Sequence, residues 1–202
     1  MVHKLVFIEG VSGVGKTTAS ALICNKFCDL GVTSTCHLEG DCDNPLDPFK
    51  GTYPPSISFT AFAETYMSCW RQFAKTKIEQ EQILILDGTF LHHQINDLIR
   101  NYSASDETIV AYLTGLLQII QPMNPSIFYL VSRDVGQRLQ IARESRGQPI
   151  PTDEKIAFWE NRKRVDLLVL ERLPIHTHVL QVDDGWDMVL QTMVEQIMNK
   201  PF

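Results

Sequence analysis

The chain has 202 residues, 44% of them hydrophobic and 21% charged, with a net charge of −6. That length fits one α/β domain with a substantial core, and the acidic balance argues against a broad nucleic-acid surface, which would need clustered Lys and Arg. No apolar run is long enough to span a bilayer, and an apolar strand starting almost at Met1 leaves no room for a signal peptide, so a cytoplasmic protein without membrane partners is expected.

Residues 4–8, Lys-Leu-Val-Phe-Ile, have the length and β-propensity of a buried strand. Next comes Gly10-Val11-Ser12-Gly13-Val14-Gly15-Lys16-Thr17-Thr18, which fits G-x-x-x-x-G-K-[ST], the phosphate-binding loop. Apolar residues at helical spacing follow it, so the motif lies between a strand and a helix, the context it requires. Glycines let the backbone turn its N–H groups inward around phosphate oxygens, and the helix N-terminus adds about half a positive charge. Lys16 is then expected on the β- and γ-phosphates, and the Thr17 hydroxyl on Mg²⁺.

Strand two is expected over 33–39, ending in Leu38-Glu39-Gly40-Asp41-Cys42-Asp43. Phosphoryl transfer to a hydroxyl needs a base near the γ-phosphate, and a carboxylate closing the neighbouring strand would stand there. Asp41 is the first choice and Glu39 the second; Asp43 reads as facing solvent or capping the loop. A proline-rich loop over 44–56 leads to a helix over 57–74. Its Phe49 and Tyr53, with Phe59, Phe62 and Tyr66 on the helix, are candidates to wall an acceptor site, although the helical aromatics read first as core.

Strand three, 82–87, ends in Asp87-Gly88-Thr89, and a carboxylate at that place beside a phosphate loop suits an Mg²⁺ ligand. Helices are expected over 91–101 and 106–121, with Pro122 as a stop. The apolar stretch 108–120 faces either the core or a partner subunit, which leaves a homodimer open. Strand four covers 126–131. The helix over 135–145 carries Arg138 and Arg143, with Arg146 just past its end, before a Gly/Pro break at 147–151. Arginines on a mobile lid, here about 143–153, stabilise charge spreading over a transferring phosphoryl group. A long helix over 153–172 carries Arg162, Lys163 and Arg164, which reads as a solvated face from which Arg162 alone could turn inward. Strand five is expected over 178–182, and Gly185-Trp186 opens the last helix. Five cysteines without zinc-site spacing read as free thiols.

Five short strands separated by helices give an α/β fold, a three-layer α/β/α sandwich with a mostly parallel five-stranded sheet and a helical lid, in a single domain over 1–202. Ligands in such folds bind beyond the carboxyl ends of the strands.

With these pieces the chain resembles the small P-loop kinases that phosphorylate nucleosides, nucleotides and other small metabolites. The resemblance spans the phosphate loop, the acidic end of strand two, Asp87-Gly88, the lid from Arg138 to Arg146, and Val182-Asp183-Asp184-Gly185-Trp186. It implies the P-loop NTPase fold, ATP and Mg²⁺ as cofactors, Arg138 near the nucleotide, and Asp183, Asp184 and Gly185 beside the adenine through their backbone. The layout is similar to thymidylate kinase, but an Asp-Arg-Tyr sequence after strand three is missing, as is an arginine after strand two to clamp a monophosphate. These two departures count against a nucleotide acceptor and leave a nucleoside, an antibiotic or another hydroxyl metabolite open; the expected reaction moves the γ-phosphoryl group of ATP to a hydroxyl or phosphate of a small molecule. The alternative is a nucleotide-binding ATPase or regulatory protein without acceptor chemistry. A GTPase is excluded by the lack of Asn-Lys-x-Asp after a late strand.

Overall fold

Residues 4–39, 46–49, 57–77 and 82–199 are described by a computed structural model. Asp41, Asp43, Cys42 and Tyr53 lie outside them.

Alternation along the central strands creates two cores. In β1 (Lys4–Glu9), Leu5 and Phe7 enter one core and Val6 and Ile8 the other. In β3 (Ile83–Asp87) the same division separates Leu84 and Leu86 from Ile83 and Ile85, and in β4 (Pro125–Val131) it separates Ile127 and Tyr129 from Phe128 and Leu130. Burial on both faces explains why these strands read as unbroken apolar runs. The first core is closed by α2 (Phe59–Lys77), α3 (His92–Tyr102), α4 (Asp106–Ile120) and α6 (Asp153–Arg172), and the second by α1 (Lys16–Asp29) and α7 (Trp186–Asn199). The result is the expected three-layer sandwich.

The sheet is parallel throughout, in the order β2-β3-β1-β4-β5. Both edges are more polar than the centre. At one edge, β2 is only Ser34–His37 and half-buried, shorter than the expected 33–39; at the other, β5 is His176–Gln181, starting two residues before the expected 178. With β3 on one side of β1 and β4 on the other, the chain changes direction at the carboxyl end of β1, where a crevice opens.

Side-chain caps set several helix starts: Thr108 N–H donates to Ser105 Oγ at 3.3 Å, Gln137 N–H to Asp134 Oδ1 at 2.8 Å, and Lys155 N–H to Thr152 Oγ1 at 3.3 Å. The Asp134 cap starts α5 (Val135–Glu144), whose Val135 and Leu139 pack on Val11 and Trp159. The apolar face of α4, including Leu113, Leu116 and Ile120, is buried in the first core. Phe62 and Tyr66 are core as well, with Phe49 and Phe59 packed against it. Cys24, Cys28, Cys36 and Cys69 form no disulfide. No helix among the described residues is long and apolar enough to cross a membrane.

Candidate active site

The loop between β1 and α1 is shaped by its glycines. Gly13 and Gly15 have φ of +83° and +98°; a Cβ on Gly13 would stand 3.0 Å from the Arg138 carbonyl oxygen, and one on Gly15 2.6 Å from the Trp186 ring. Only glycine satisfies both the left-handed backbone and the close packing. Val11 and Val14 anchor the loop by burying their side chains. Ser12, Gly13, Gly15, Lys16, Thr17 and Thr18 then line a cleft of about 580 Å³, whose far wall includes Arg138 and Arg146.

Asp87 closes β3 behind Thr17 and Glu39, two residues that line this cleft, and is fully buried. Its Oδ2 accepts from the Thr17 hydroxyl at 2.6 Å and from Glu39 N–H at 3.3 Å, while its Oδ1 is buried without a partner. Burial pushes this carboxyl upward, against the pull of Lys16 and Thr17. An unpartnered buried carboxylate oxygen beside a hydroxyl matches the oxygen-donor preference of Mg²⁺. Among the described residues no group of three His, Cys, Asp or Glu could hold a metal.

Glu39, two residues beyond β2, is the centre of the charge arrangement. Its carboxylate lies 3.5 Å from Lys16 Nζ, 3.5 Å from His92 Nε2 and 3.6 Å from His93 Nε2. Burial alone would raise its pKa, but His93, Lys16 and His92 outweigh that and hold it well below the usual carboxylate range. Burial, reinforced by Lys16, keeps His92 well below the ordinary histidine value. For His93 burial pulls downward, yet the adjacent Glu39 carboxylate wins and raises it. Gly88 makes room for this cluster: with φ of +62°, a Cβ there would come within 3.0 Å of both Glu39 Oε2 and Lys16 Cε. Beyond Glu39 a second chamber of about 310 Å³ opens, lined by Asp47, Tyr66, Asn96, Asp97, Arg100 and Trp159 along with both histidines.

A buried frame holds the histidines in place. Phe90 N–H and His92 N–H donate to the Glu9 carboxylate at 2.7 and 2.9 Å, so β1 caps the N-terminus of α3. Burial raises the Glu9 pKa to about 7 despite these donors. Arg162, fully buried on α6, donates to Asp166 Oδ1 at 2.8 Å, to the carbonyls of Leu91 and His92 at 2.9 and 3.2 Å, and to Asn96 Oδ1. Tyr129 O–H completes the network on Asp166 at 3.0 Å. Trp159 stacks on the His92 ring, with centroids 5.3 Å apart and planes 7° from parallel.

On the far side, Arg138 pairs with Asp183 at 2.7 Å, and Asp183 also accepts from Arg133 N–H at 2.7 Å and from Ser132 and Gln181. Burial acts upward on Asp183, but these donors hold it well below the usual range. Asp184 pairs with Arg133 at 2.7 Å at the surface, and a Cβ on Gly185 would meet nothing within 4 Å. Arg143 donates to the Pro149 carbonyl at 2.8 Å, clasping the turn that contains Gly147, while Arg146 lines the cleft.

No protein-family model matches the chain, and no curated protein matches it by sequence. Among solved structures it is similar to the YorR protein of Bacillus subtilis, in complex with phosphorylated GDP, at 13% identity and a TM-score of 0.60, over 96% of this chain and 95% of that one. It is also similar to thymidylate kinase from Ehrlichia chaffeensis, at 14% identity and a TM-score of 0.58, over 98% of this chain and 100% of that one. The chain has a P-loop nucleotide kinase-like fold. At these identities the likeness is one of fold.

Within this kinase fold the structure brings Lys16, Thr17, Asp87 and Glu39 together, with Arg138 and Arg146 across the cleft. Sequence reasoning passed over Glu9, His92, His93, Trp159 and Trp186. A carboxylate closing an apolar strand was the available signal for Glu9, and a histidine pair just after Asp87-Gly88-Thr89 was the signal for His92 and His93.

Proposed function

We propose that the chain is a phosphotransferase that moves the γ-phosphoryl group of ATP to a hydroxyl group of a small molecule, working as one domain with a lid at about 143–153. The supporting observation is the position of Glu39, whose carboxylate lines both the phosphate cleft and the second chamber. A nucleotide-binding regulator needs the cleft but has no use for a carboxylate at the mouth of a separate chamber.

On this reading the loop from Gly10 to Thr18 receives the phosphates on its backbone N–H groups, and Lys16 meets the β- and γ-oxygens. Thr17 and Asp87 hold Mg²⁺, which when bound neutralises charge on the β- and γ-phosphates. The acceptor oxygen bonds to the γ-phosphorus as the bond to the β–γ bridging oxygen breaks, and the acceptor proton passes to Glu39. Arg138 and Arg146 face the oxygens over which charge spreads, and Arg143 holds the lid turn. The backbone at Asp183, Asp184 and Gly185 lies beside the adenine. Asp41 is the rival base, and substitution decides between the two.

Calorimetry with ATP and Mg²⁺ tests the cleft. Lys16→Ala loses a charge-assisted phosphate contact and weakens binding by roughly 2–5 kcal/mol. Equal affinity in both proteins sinks the proposal. A screen of nucleosides, nucleotides, sugars and aminoglycosides, read by product mass, tests transfer. Tight ATP binding with no phosphoproduct anywhere in the panel would favour the regulatory alternative.

A further inference from the structure

We propose that His92 is a second catalytic residue of the transfer, its Nε2 lone pair receiving the acceptor hydroxyl together with Glu39 Oε1; this rests on the phosphotransferase reading above. The two histidines of the cluster stand at nearly the same distance from one carboxylate oxygen, His92 Nε2 at 3.5 Å and His93 Nε2 at 3.6 Å from Glu39 Oε1. Their proton states differ. The His92 ring is tied at its other nitrogen, where Nδ1 lies 3.1 Å from the Gly10 carbonyl oxygen. A carbonyl oxygen only accepts, so Nδ1 carries the ring proton, and the Nε2 of an uncharged imidazole is then an acceptor. Burial first, then Lys16 and Arg162, keep this ring uncharged near neutral pH against the pull of Glu39. Its own pull on the Glu39 carboxyl belongs to the acid range, where both titrate. His93, by contrast, is raised by the Glu39 carboxylate, and a proton on its Nε2 suits its place beside that oxygen.

His92 Nε2 and Glu39 Oε1 thus face each other as two acceptors with no proton between them. An oxygen about 2.8 Å from each fits across the 3.5 Å gap. A hydroxyl placed there meets both acceptors with its single proton and leaves its lone pairs for the γ-phosphorus. The surroundings fix the aim of the ring: Trp159 stacks on its face, Glu9 holds its backbone N–H, and Arg162 holds its carbonyl. The His92 side chain is 8% exposed, and the residue lines both the phosphate cleft and the second chamber. Holding the hydroxyl in one orientation lowers the barrier by positioning. In the transfer the acceptor oxygen bonds to phosphorus, the bond to the β–γ bridging oxygen breaks, and the proton passes to Glu39; His92 keeps its tautomer throughout. A phosphate dianion brings lone pairs and no proton, so it does not satisfy this pair.

The test separates the two ring nitrogens. An asparagine amide reaches the place of Nδ1 and a glutamine amide that of Nε2, so His92→Asn keeps a donor for Gly10 and loses the acceptor, while His92→Gln does the reverse. The full chain is given ATP and Mg²⁺ with glucose, kanamycin, uridine, UMP and water as probes, and transfer is read by product mass and ADP release. His92→Asn is expected to lower kcat by roughly 10²-fold, with melting temperature and ATP affinity near wild type. His92→Gln is expected to melt about 2–4 °C lower and to keep most of the rate. The opposite order makes His92 structural and overturns the proposal. ¹⁵N spectra of the histidine rings near pH 7, assigned by the signals lost in His92→Asn, should show the proton on Nδ1 alone. Protons on both nitrogens would overturn the role, as would UDP formed from UMP in preference to transfer to the hydroxyl probes. Transfer to no probe, water included, ends the phosphotransferase reading and this role with it, whereas transfer that His92→Asn leaves untouched ends the role alone.

Discussion

Arg162→Ala tests whether the buried frame sets the stability of the site. The substitution removes the donor of bonds to Asp166, to the carbonyls of Leu91 and His92, and to Asn96, and both side chains of the ion pair are 0% exposed. Breaking a buried pair from one side costs about 3–5 kcal/mol, because the remaining charge stays desolvated. In a chain of this length each kcal/mol moves the melting temperature by about 2–4 °C, so a fall of roughly 6–20 °C is expected. Burial already pushes the Asp166 carboxyl upward against the pull of Arg162. Without the arginine it rises further and takes up a proton, so the loss should be smaller at pH 5 than at pH 8. Removing both charges in Arg162→Met with Asp166→Leu should restore more than half of the lost stability. Thermal and denaturant melts of the three proteins at both pH values decide the matter. A single-variant cost under about 1 kcal/mol, or a double variant no more stable than Arg162→Ala, refutes the frame as described.

Glu39→Gln keeps shape but cannot take a proton, so turnover should fall by roughly 10²- to 10⁴-fold with ATP affinity largely kept; if Asp41→Asn shows that loss instead, the base has been misassigned. Arg146→Ala should lower turnover by on the order of 10³-fold, while Arg143→Ala, which frees only the Pro149 carbonyl, should lower the melting temperature more than the rate. Steady-state kinetics and melts on the same samples separate these outcomes, and the reverse pattern ends the distinction between the two arginines. Glu9, raised to about 7 from 4.5, favours folding while protonated. Its contribution is whole below pH 4.5 and lost as pH rises through 7, about 3 kcal/mol in all. His92, held well below 6.5, acts in the opposite sense as pH falls, so the measured quantity is the stability gap between wild type and Glu9→Gln. The stability of wild type minus that of Glu9→Gln should fall from pH 5 to pH 8, and a constant difference would show that Glu9 does not titrate in this range.

What could be read from the sequence follows from how each feature is encoded. The phosphate loop is local: its glycines, lysine and threonine are neighbours in the chain, and the strand and helix around them carry their own periodicity. The central strands were legible because strands buried on both faces are continuous apolar runs. β2 was overextended because an edge strand is short and polar, and its last paired residue is fixed by β3 rather than by its own composition. The Glu9 cap depends on register: the carboxylate closing an apolar strand marks the residue, but it is the pairing of Ile8 with Asp87 that carries Glu9 to the segment at 90–92. Arg162 is the instructive case. A run of Arg-Lys-Arg suggests solvent, yet Trp159, Arg162, Asp166 and Val169 are spaced three or four apart and share the buried face of α6. The run reads as a solvated face from which Arg162 alone could turn inward, and the spacing marks it as the one that does.

Three carboxylates at the site are held in three different states, and the differences account for the proposed roles. Glu9 and Asp87 are both pushed upward by burial, but Glu9 is met by backbone N–H groups, whereas Asp87 keeps an unpartnered oxygen beside Thr17. The first is suited to holding a helix start, the second to a cation. Glu39 alone is held well below the usual range, and Lys16 is among the causes. A carboxylate so strongly stabilised as an anion is a weak base, which would count against it if the arrangement were fixed. On the proposed reading it is not fixed. Phosphate oxygens compete with the Glu39 carboxylate for Lys16, and a charge-assisted contact to several phosphate oxygens outweighs an ion pair at 3.5 Å. Nucleotide binding therefore draws the lysine away and raises the basicity of Glu39 at the moment an acceptor proton must be taken. The same lysine that holds the γ-phosphoryl group would then release one of the holds on the base, with His93 and His92 keeping the others, tying proton transfer to an occupied cleft.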